Sequence, residues 1–157
     1  MKHLAVLFFI LKISCINAQE IFAFQKQRHS LNKELITKNN TDEIFKKRFD
    51  REYEYQAKYL GKFQTNVDEF YIINSSYVNL KNLHNDNQIL IYNAKKEFVG
   101  YFSLAANYQL PIKLVDNTLY FKTDTCINEI NLSNGIPKAI RLSCRNNIDH
   151  IEFQNGR

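Results

Sequence analysis

Glycine, proline and tryptophan are scarce in this 157-residue chain, which has four glycines, two prolines and no tryptophan. Isolated glycines cannot form a glycine-rich phosphate-binding loop, and the Gly-x-Ser-x-Gly motif of serine hydrolases is missing. After residue 3 the histidines are His29, His84 and His150, and neither they nor the cysteines have the spacing of zinc ligands. We therefore expect no metal and no cofactor, and we interpret the protein as non-enzymatic.

Long apolar runs are also missing, and the run nearest the N-terminus is only Leu4–Leu11. A membrane-spanning helix needs about 20 such residues. Lys2 before the run and Ala18 after it complete the pattern of a signal peptide over residues 1–18. The alternative is a lipoprotein anchored through Cys15, which Lys12 disfavours because it places a cation where an apolar residue is usual. We expect export, either secretion or periplasmic location, with no transmembrane segment in the mature chain.

Charge of one sign is not in large excess. Without residues 1–18 the chain has 19 Lys and Arg against 16 Asp and Glu, a net charge of +3. Nucleic-acid binding requires clustered cations among stacking aromatics, so we expect no nucleic-acid partner. Apolar residues make up 45% and aromatic residues 13%, enough for a packed core, and the length fits a single domain over residues 19–157.

Two cysteines remain beyond the predicted signal peptide, Cys126 and Cys144. The intervening sequence has the pattern of a hairpin, with strands at Ile127–Leu132 and Lys138–Ser143. In an oxidising compartment this pair predicts a cross-strand disulfide.

The register of that hairpin is supported by two other pairs. If the cysteines are opposed, Ile130 lies opposite Ile140 on one face. On the other face Glu129 lies opposite Arg141, a favourable pair of opposite charges. One register thus satisfies the disulfide, the apolar face and the charges.

The N-terminal part, residues 19–61, is predicted to be helical, with a less distinct helix in residues 19–38. Asn40 and Glu43 resemble a capping box, and Gly61 is placed as a C-terminal cap. We expect an amphipathic helix over Thr41–Leu60 because apolar residues recur at spacings of four, four, four and three. They are Phe45, Phe49, Tyr53, Ala57 and Leu60.

From Asn66 to Arg157 short apolar stretches alternate with polar turns, which is typical of antiparallel strands. Asp116-Asn117 predicts a two-residue hairpin turn, and Ile89–Tyr92 predicts a central strand that is buried on both faces. The predicted class is α+β, with one or more N-terminal helices packed on an antiparallel meander or sandwich of about eight strands. The predicted strands are Phe70–Ile73, Tyr77–Leu80, Gln88–Tyr92, Phe98–Leu104, Ile112–Val115, Thr118–Lys122, the two hairpin strands and His150–Phe153.

Tyrosines near the predicted strands are the best indication of function, since tyrosine is enriched where proteins bind partners. The segments Ala105–Pro111 and Asn82–Asn87 are the predicted exposed recognition loops. The candidate recognition residues are Tyr108, His84, Tyr101 and Tyr120. The preferred interpretation is a secreted or periplasmic binding protein with an unknown protein or glycan partner. An inhibitor or immunity protein against a secreted enzyme or toxin, and a small envelope hydrolase, remain alternatives.

Overall fold

The computed structural model describes residues 24–49, 51–123 and 125–156, and these contain one α-helix and ten strands. The predicted signal peptide, with Cys15, lies outside the described residues. The helix, α1, spans residues 24–38, so the helix expected within residues 19–38 is confirmed over that range. The chain divides into two units between Glu34 and Leu35, and all ten strands belong to the second unit.

All strand pairings are antiparallel, in two sheets. The large sheet contains β1 (Phe45–Arg48), β2 (Tyr53–Gln64), β3 (Glu69–Asn79), β4 (Asn85–Asn93), β5 (Phe98–Leu104), β9 (Ala139–Cys144) and β10 (Asn147–Asn155). The small sheet contains β6 (Lys113–Val115), β7 (Thr118–Thr123) and β8 (Cys126–Asn131). The strand orders are β1-β2-β3-β4-β5-β10-β9 and β6-β7-β8. The described chain is thus mostly β, and the α+β class is only roughly met.

The helix predicted over Thr41–Leu60 is wrong, because this segment forms β1 and most of β2. A spacing of four residues, on which the prediction depended, is close to one helical turn but is also twice the strand period of two. Tyr55 and Tyr59 fill the intermediate positions, so that buried side chains alternate with polar ones along β2. Asn40 caps a turn, since its Oδ1 accepts a hydrogen bond from the backbone N–H of Asp42 at 3.0 Å.

Gly61 ends no helix and instead belongs to a β-bulge in β2. The register to β3 shifts between Tyr59 and Gly61, and Gly61 has a φ of 131°, which side-chain-bearing residues rarely adopt. The extra residue reverses the alternation of faces along the strand. Leu60 and Phe63 therefore point into the core that the two sheets share.

The central strand β4 is confirmed as buried on both faces. It lies fourth of seven in the large sheet, and Ile89, Leu90, Ile91 and Tyr92 are each at most 1% exposed. Both neighbours of β4 come from adjacent parts of the chain, which is why the sequence pattern identifies this region well. The two stretches predicted as separate strands between Phe70 and Leu80 are parts of one continuous strand, β3.

The two-residue turn at Asp116-Asn117 is confirmed. Both residues have positive φ values, 47° and 61°, as a type I′ hairpin requires. The Asn117 side chain also bonds to β2: its Oδ1 accepts from Gln64 N at 3.0 Å, and its Nδ2 donates to Gln64 O at 2.8 Å. The turn of the small sheet is thereby attached to the end of a strand of the large one.

The disulfide between Cys126 and Cys144 is confirmed, with the two Cα atoms 5.4 Å apart. The predicted ladder around it is wrong, because β8 pairs with β7 and β9 pairs with β10. The connection between β8 and β9 is long enough for them to join different sheets. Besides the disulfide, a hydrogen bond joins the two strands, in which Asn128 Oδ1 accepts from Ser143 N at 2.8 Å.

The core lies between the two sheets and draws residues from both. Leu119 and Phe121 of the small sheet are at most 1% exposed and belong to the same apolar cluster as Ile72 and Phe102 of the large one. The other buried members of the cluster are Leu60, Phe63, Ile89, Ile91, Leu104, Leu132, Ile140, Leu142 and Ile151.

Candidate functional site

The two predicted recognition loops lie against each other at one end of the core. Ser76 Oγ, on β3, lies 2.8 Å from Asn87 Oδ1 and 3.2 Å from Asn107 Oδ1, and its single proton can serve one of them at a time. The Asn85 side-chain amide, oriented to satisfy its neighbours, accepts a hydrogen bond from Asn107 Nδ2 at 2.7 Å. These contacts form an amide network that joins the β3–β4 loop to the segment Ala105–Pro111.

A second set of hydrogen bonds fixes the segment Ala105–Pro111 to β10. Its centre is a short 3-10 helix, Asn107–Gln109. Gln109 is only 4% exposed; its Oε1 accepts a hydrogen bond from Ala106 N at 3.1 Å, and its Nε2 donates to Asp149 Oδ2 at 2.7 Å. One amide side chain thus shapes the loop and orients the Asp149 carboxylate.

Beside this loop is a cleft of about 310 Å³, here called the Tyr108 cleft. Tyr108 forms part of its wall and is 66% exposed. The lining is completed by side chains from the ends of β7, β9 and β10. They are Thr123, Leu142, Ser143, Cys144, Asn147 and Asp149.

The lining of the Tyr108 cleft combines one carboxylate with several neutral polar groups. Among the described residues that line the cleft, Asp149 is the only one with a full charge. Thr123 is 9% exposed, and its Oγ1 has no hydrogen-bond partner in the described part of the protein. Ser143 Oγ is 3.3 Å from Asn128 Oδ1, an amide oxygen that cannot act as a general base. The arrangement is suited to hydrogen-bonding a ligand rather than to activating a nucleophile.

The four candidate recognition residues lie at three places. Tyr108 lines the cleft, and His84 is exposed in the β3–β4 loop next to Leu83, which is 72% exposed. Tyr101 alternates with core residues on β5, so it faces away from the core, and its ring stacks on Phe98 at 6.3 Å. Tyr120 lies on the small sheet, where Lys113 Nζ is 4.6 Å from the centre of its ring. Only the loops of Tyr108 and His84 are brought together.

No pattern in the sequence identifies Asp149, Asn147 and Thr123 as parts of a cleft. The sequence pattern begins the last predicted strand at His150, after both Asn147 and Asp149. In the structure β10 begins at Asn147, and Asn147 and Asp149 lie opposite Cys144 and Leu142 of β9. The signal that was available is the Arg145-Asn146 turn, which makes β9 and β10 a tight hairpin.

Two other cavities in the described part of the chain are less suited to a ligand than the Tyr108 cleft. One, of about 130 Å³, lies beside Asn74, which is buried and donates from Nδ2 to Pro111 O at 2.7 Å. It is smaller than the ~300 Å³ at which small-molecule pockets begin. The other, of about 390 Å³, lies beside the β2–β3 turn. There Thr65 Oγ1 is already bonded to the backbone of Asp68 at 2.9 Å, so this polar group is used within the turn.

A charged cluster lies on the other face of the large sheet. Lys62 Nζ is 2.6 Å from Glu69 Oε2, and the Tyr71 hydroxyl donates to Glu69 Oε1 at 2.8 Å. These hydrogen bonds lower the pKa of Glu69 and raise the pKa values of Lys62 and Tyr71. Because both carboxylate oxygens are engaged internally, we interpret the cluster as structural.

In the ranges that the structure describes, no helix has both the length and the apolar character needed to cross a bilayer. No three His, Cys, Asp or Glu side chains of these ranges converge as metal ligands would. Comparison of the chain with protein-family models, with curated proteins and with solved structures finds no match.

Proposed function

We propose that this protein is a small secreted or periplasmic binding protein without catalytic activity. Its recognition surface is formed by the β3–β4 loop and the segment Ala105–Pro111, together with the Tyr108 cleft. The observation that carries the proposal is the amide network of Ser76, Asn85, Asn87 and Asn107, which holds two exposed loops together over a buried base. Such preorganisation lowers the entropy lost on binding.

The exposed residues on this surface suit a partner that is partly apolar and partly polar. Leu83 and Tyr108 are 72% and 66% exposed, and His84 lies beside Leu83. Tyrosine contributes a large rigid ring and a hydroxyl, a combination that is common at the centres of binding surfaces. We infer a protein or glycan partner.

Export is supported by two features. The N-terminal sequence has the pattern of a signal peptide, and Cys126 and Cys144 form a disulfide, a bond that persists in oxidising compartments. Both are expected of a protein that acts outside the cytoplasm.

The test uses the purified, disulfide-bonded protein as recovered from an exporting host. It is immobilised and probed with envelope and culture fractions of the source organism and with a glycan array. We expect a partner whose binding is lost in Tyr108→Ala and weakened in His84→Ala. Two variants serve as matched controls, Tyr120→Ala for loss of a ring elsewhere and Val67→Ala for an exposed apolar side chain at the β2–β3 turn. Binding that is equal in all four variants, or no binding at all, would contradict the proposed function.

A further inference from the structure

We propose that the Tyr108 cleft binds one neutral sugar ring, either free or at the end of a glycan. This inference rests on the proposed function and adds a ligand class to it. The volume of the cleft, about 310 Å³, is at the small end of the range for small-molecule sites. A single ring therefore fits better than a longer chain.

The polar groups of the cleft match the hydroxyl groups of a sugar, each of which both donates and accepts. Asp149 offers acceptor oxygens, and Asn147 offers a donor and an acceptor. Asp149 is already oriented, because Gln109 Nε2 holds its Oδ2 at 2.7 Å. Its second oxygen, Oδ1, has no bond to the described residues and is left for a ligand hydroxyl.

Thr123 provides an independent observation that points to a ligand. The residue lines the cleft and is nine-tenths buried, yet its Oγ1 has no hydrogen-bond partner in the described chain. Buried hydroxyl groups nearly always have a partner. A ligand hydroxyl that reaches the base of the cleft would supply the missing one.

The exposed ring of Tyr108 completes the match. One face of a pyranose ring presents C–H groups, whose partial positive charge is attracted to the negative face of an aromatic ring. Tyr108 is positioned at the wall of the cleft, while the polar side chains come from the strand ends. A flat ligand with one apolar face and a polar edge satisfies both.

Charged ligands fit the cleft less well. None of the lining residues that the structure describes is Lys, Arg or His, so an anion would meet the Asp149 carboxylate without a compensating cation from them. Sites for ammonium groups are typically cages of several aromatic rings. Here a single tyrosine is accompanied by hydroxyl and amide groups, which favours a neutral polyhydroxyl ligand.

The test is saturation-transfer and chemical-shift NMR with a panel of simple probes. The neutral probes are the methyl glycosides of glucose, galactose and mannose, and N-acetylglucosamine. Glucosamine serves as the cationic control and glucuronic acid as the anionic one. We expect at least one neutral probe to bind and both charged controls to bind more weakly.

Three variants locate the binding. Tyr108→Ala is expected to abolish it, and Asp149→Asn and Thr123→Val are each expected to weaken it about tenfold, the effect of one lost hydrogen bond. Thr123→Val has nearly the same shape and removes a hydroxyl without a partner, so its unfolding midpoint should equal or exceed that of the unmodified protein. A merely structural threonine would show the opposite, with stability reduced and binding unchanged.

Two results would overturn the sugar proposal. One is tighter binding of glucosamine than of N-acetylglucosamine, which would indicate an ammonium site. The other is the absence of binding by every neutral probe. Capture of a protein partner that depends on Tyr108 would then leave the proposed binding function intact and remove only its sugar ligand.

Discussion

Tyr59 shows how burial changes the chemistry of a single residue. It is 1% exposed on β2. Burial, with smaller contributions from Tyr71 and Glu69, raises its pKa to about 12. A phenol in an unfolded chain titrates near pH ~10. Between these values the unfolded chain has released the proton and the folded protein has kept it, so stability falls as the pH rises.

We therefore predict that the free energy of unfolding decreases between about pH 10 and pH 12, and that it decreases less in Tyr59→Phe. Urea unfolding at a series of pH values measures both slopes. The other tyrosines and lysines titrate in both proteins, so the difference between the slopes isolates Tyr59. Parallel slopes would show that Tyr59 titrates normally.

Single residues also define the cleft. Gln109 contacts the backbone of its own loop and the carboxylate of a distant strand. No local sequence pattern marks such a residue, because its partner lies 40 positions away. Tyr108, in contrast, could be predicted, since it lies in a short segment that ends in a proline between two predicted strands.

In the β6–β7 hairpin, one turn residue both forms the turn and attaches the hairpin to the large sheet. Its turn residue Asn117 adopts a left-handed conformation, and the same side chain makes two hydrogen bonds to Gln64. Glycine accepts this conformation, whereas alanine does not accept it readily. Comparing the glycine and alanine substitutions at Asn117 therefore separates the stability lost with the side-chain hydrogen bonds from the stability lost to backbone strain.

We predict that Asn117→Gly lowers the free energy of unfolding by ~1–2 kcal/mol, the contribution of two hydrogen bonds. Asn117→Ala should cost roughly 1 kcal/mol more because of the backbone strain. Chemical denaturation measures the series, with Asp116→Gly as the matched control at the other turn position. If Asn117→Gly were as stable as that control, the attachment to β2 would contribute nothing.

At the level of strands, the sequence allows prediction where apolar residues and turn residues mark a strand clearly. The β4, β5, β6 and β7 strands have such patterns. Being neighbours in both the chain and the sheet is not sufficient, because β1 and β2 are also neighbours in both and were predicted to be helical. The error at Thr41–Leu60 arose because a four-residue spacing does not distinguish a helix from a strand. The error at the disulfide arose because the choice between one hairpin and two sheets depends on partners elsewhere in the chain.

The disulfide has its main effect on the whole molecule. Cys126 is on the edge strand of the small sheet and Cys144 on the edge strand of the large one. The bond therefore connects the two layers of the core rather than two neighbours in one ladder. Cys144 also lines the Tyr108 cleft, so the same bond fixes one wall of the candidate site.

We predict that the double variant Cys126→Ala, Cys144→Ala loses ~3 kcal/mol of unfolding free energy, as expected for a loop of this size. Urea unfolding with and without reductant provides the measurement. The unmodified protein should lose a similar amount on reduction, and the double variant should not respond to reductant. A loss below about 1 kcal/mol would mean that the sheets hold together without the bond.

The candidate site also depends on the fold of the whole molecule, since its residues come from four separate parts of the chain. Thr123 of the small sheet becomes a neighbour of Ser143 and Asp149, which lie on the β9–β10 hairpin, only after the two sheets have packed. A sequence pattern records local spacing, so it could identify the exposed loop but not the strand ends that face it.

The edge strand β1 has a consequence for the behaviour of the protein in concentrated solution. It forms one end of the large sheet and has the sequence Phe-Lys-Lys-Arg, residues 45–48. An open sheet edge is a template for further strands, and the addition of strands from other molecules is how many β proteins aggregate. An incoming strand would have to pack beside three cations and separate them from water. The cations of β1 thus oppose aggregation at the sheet edge.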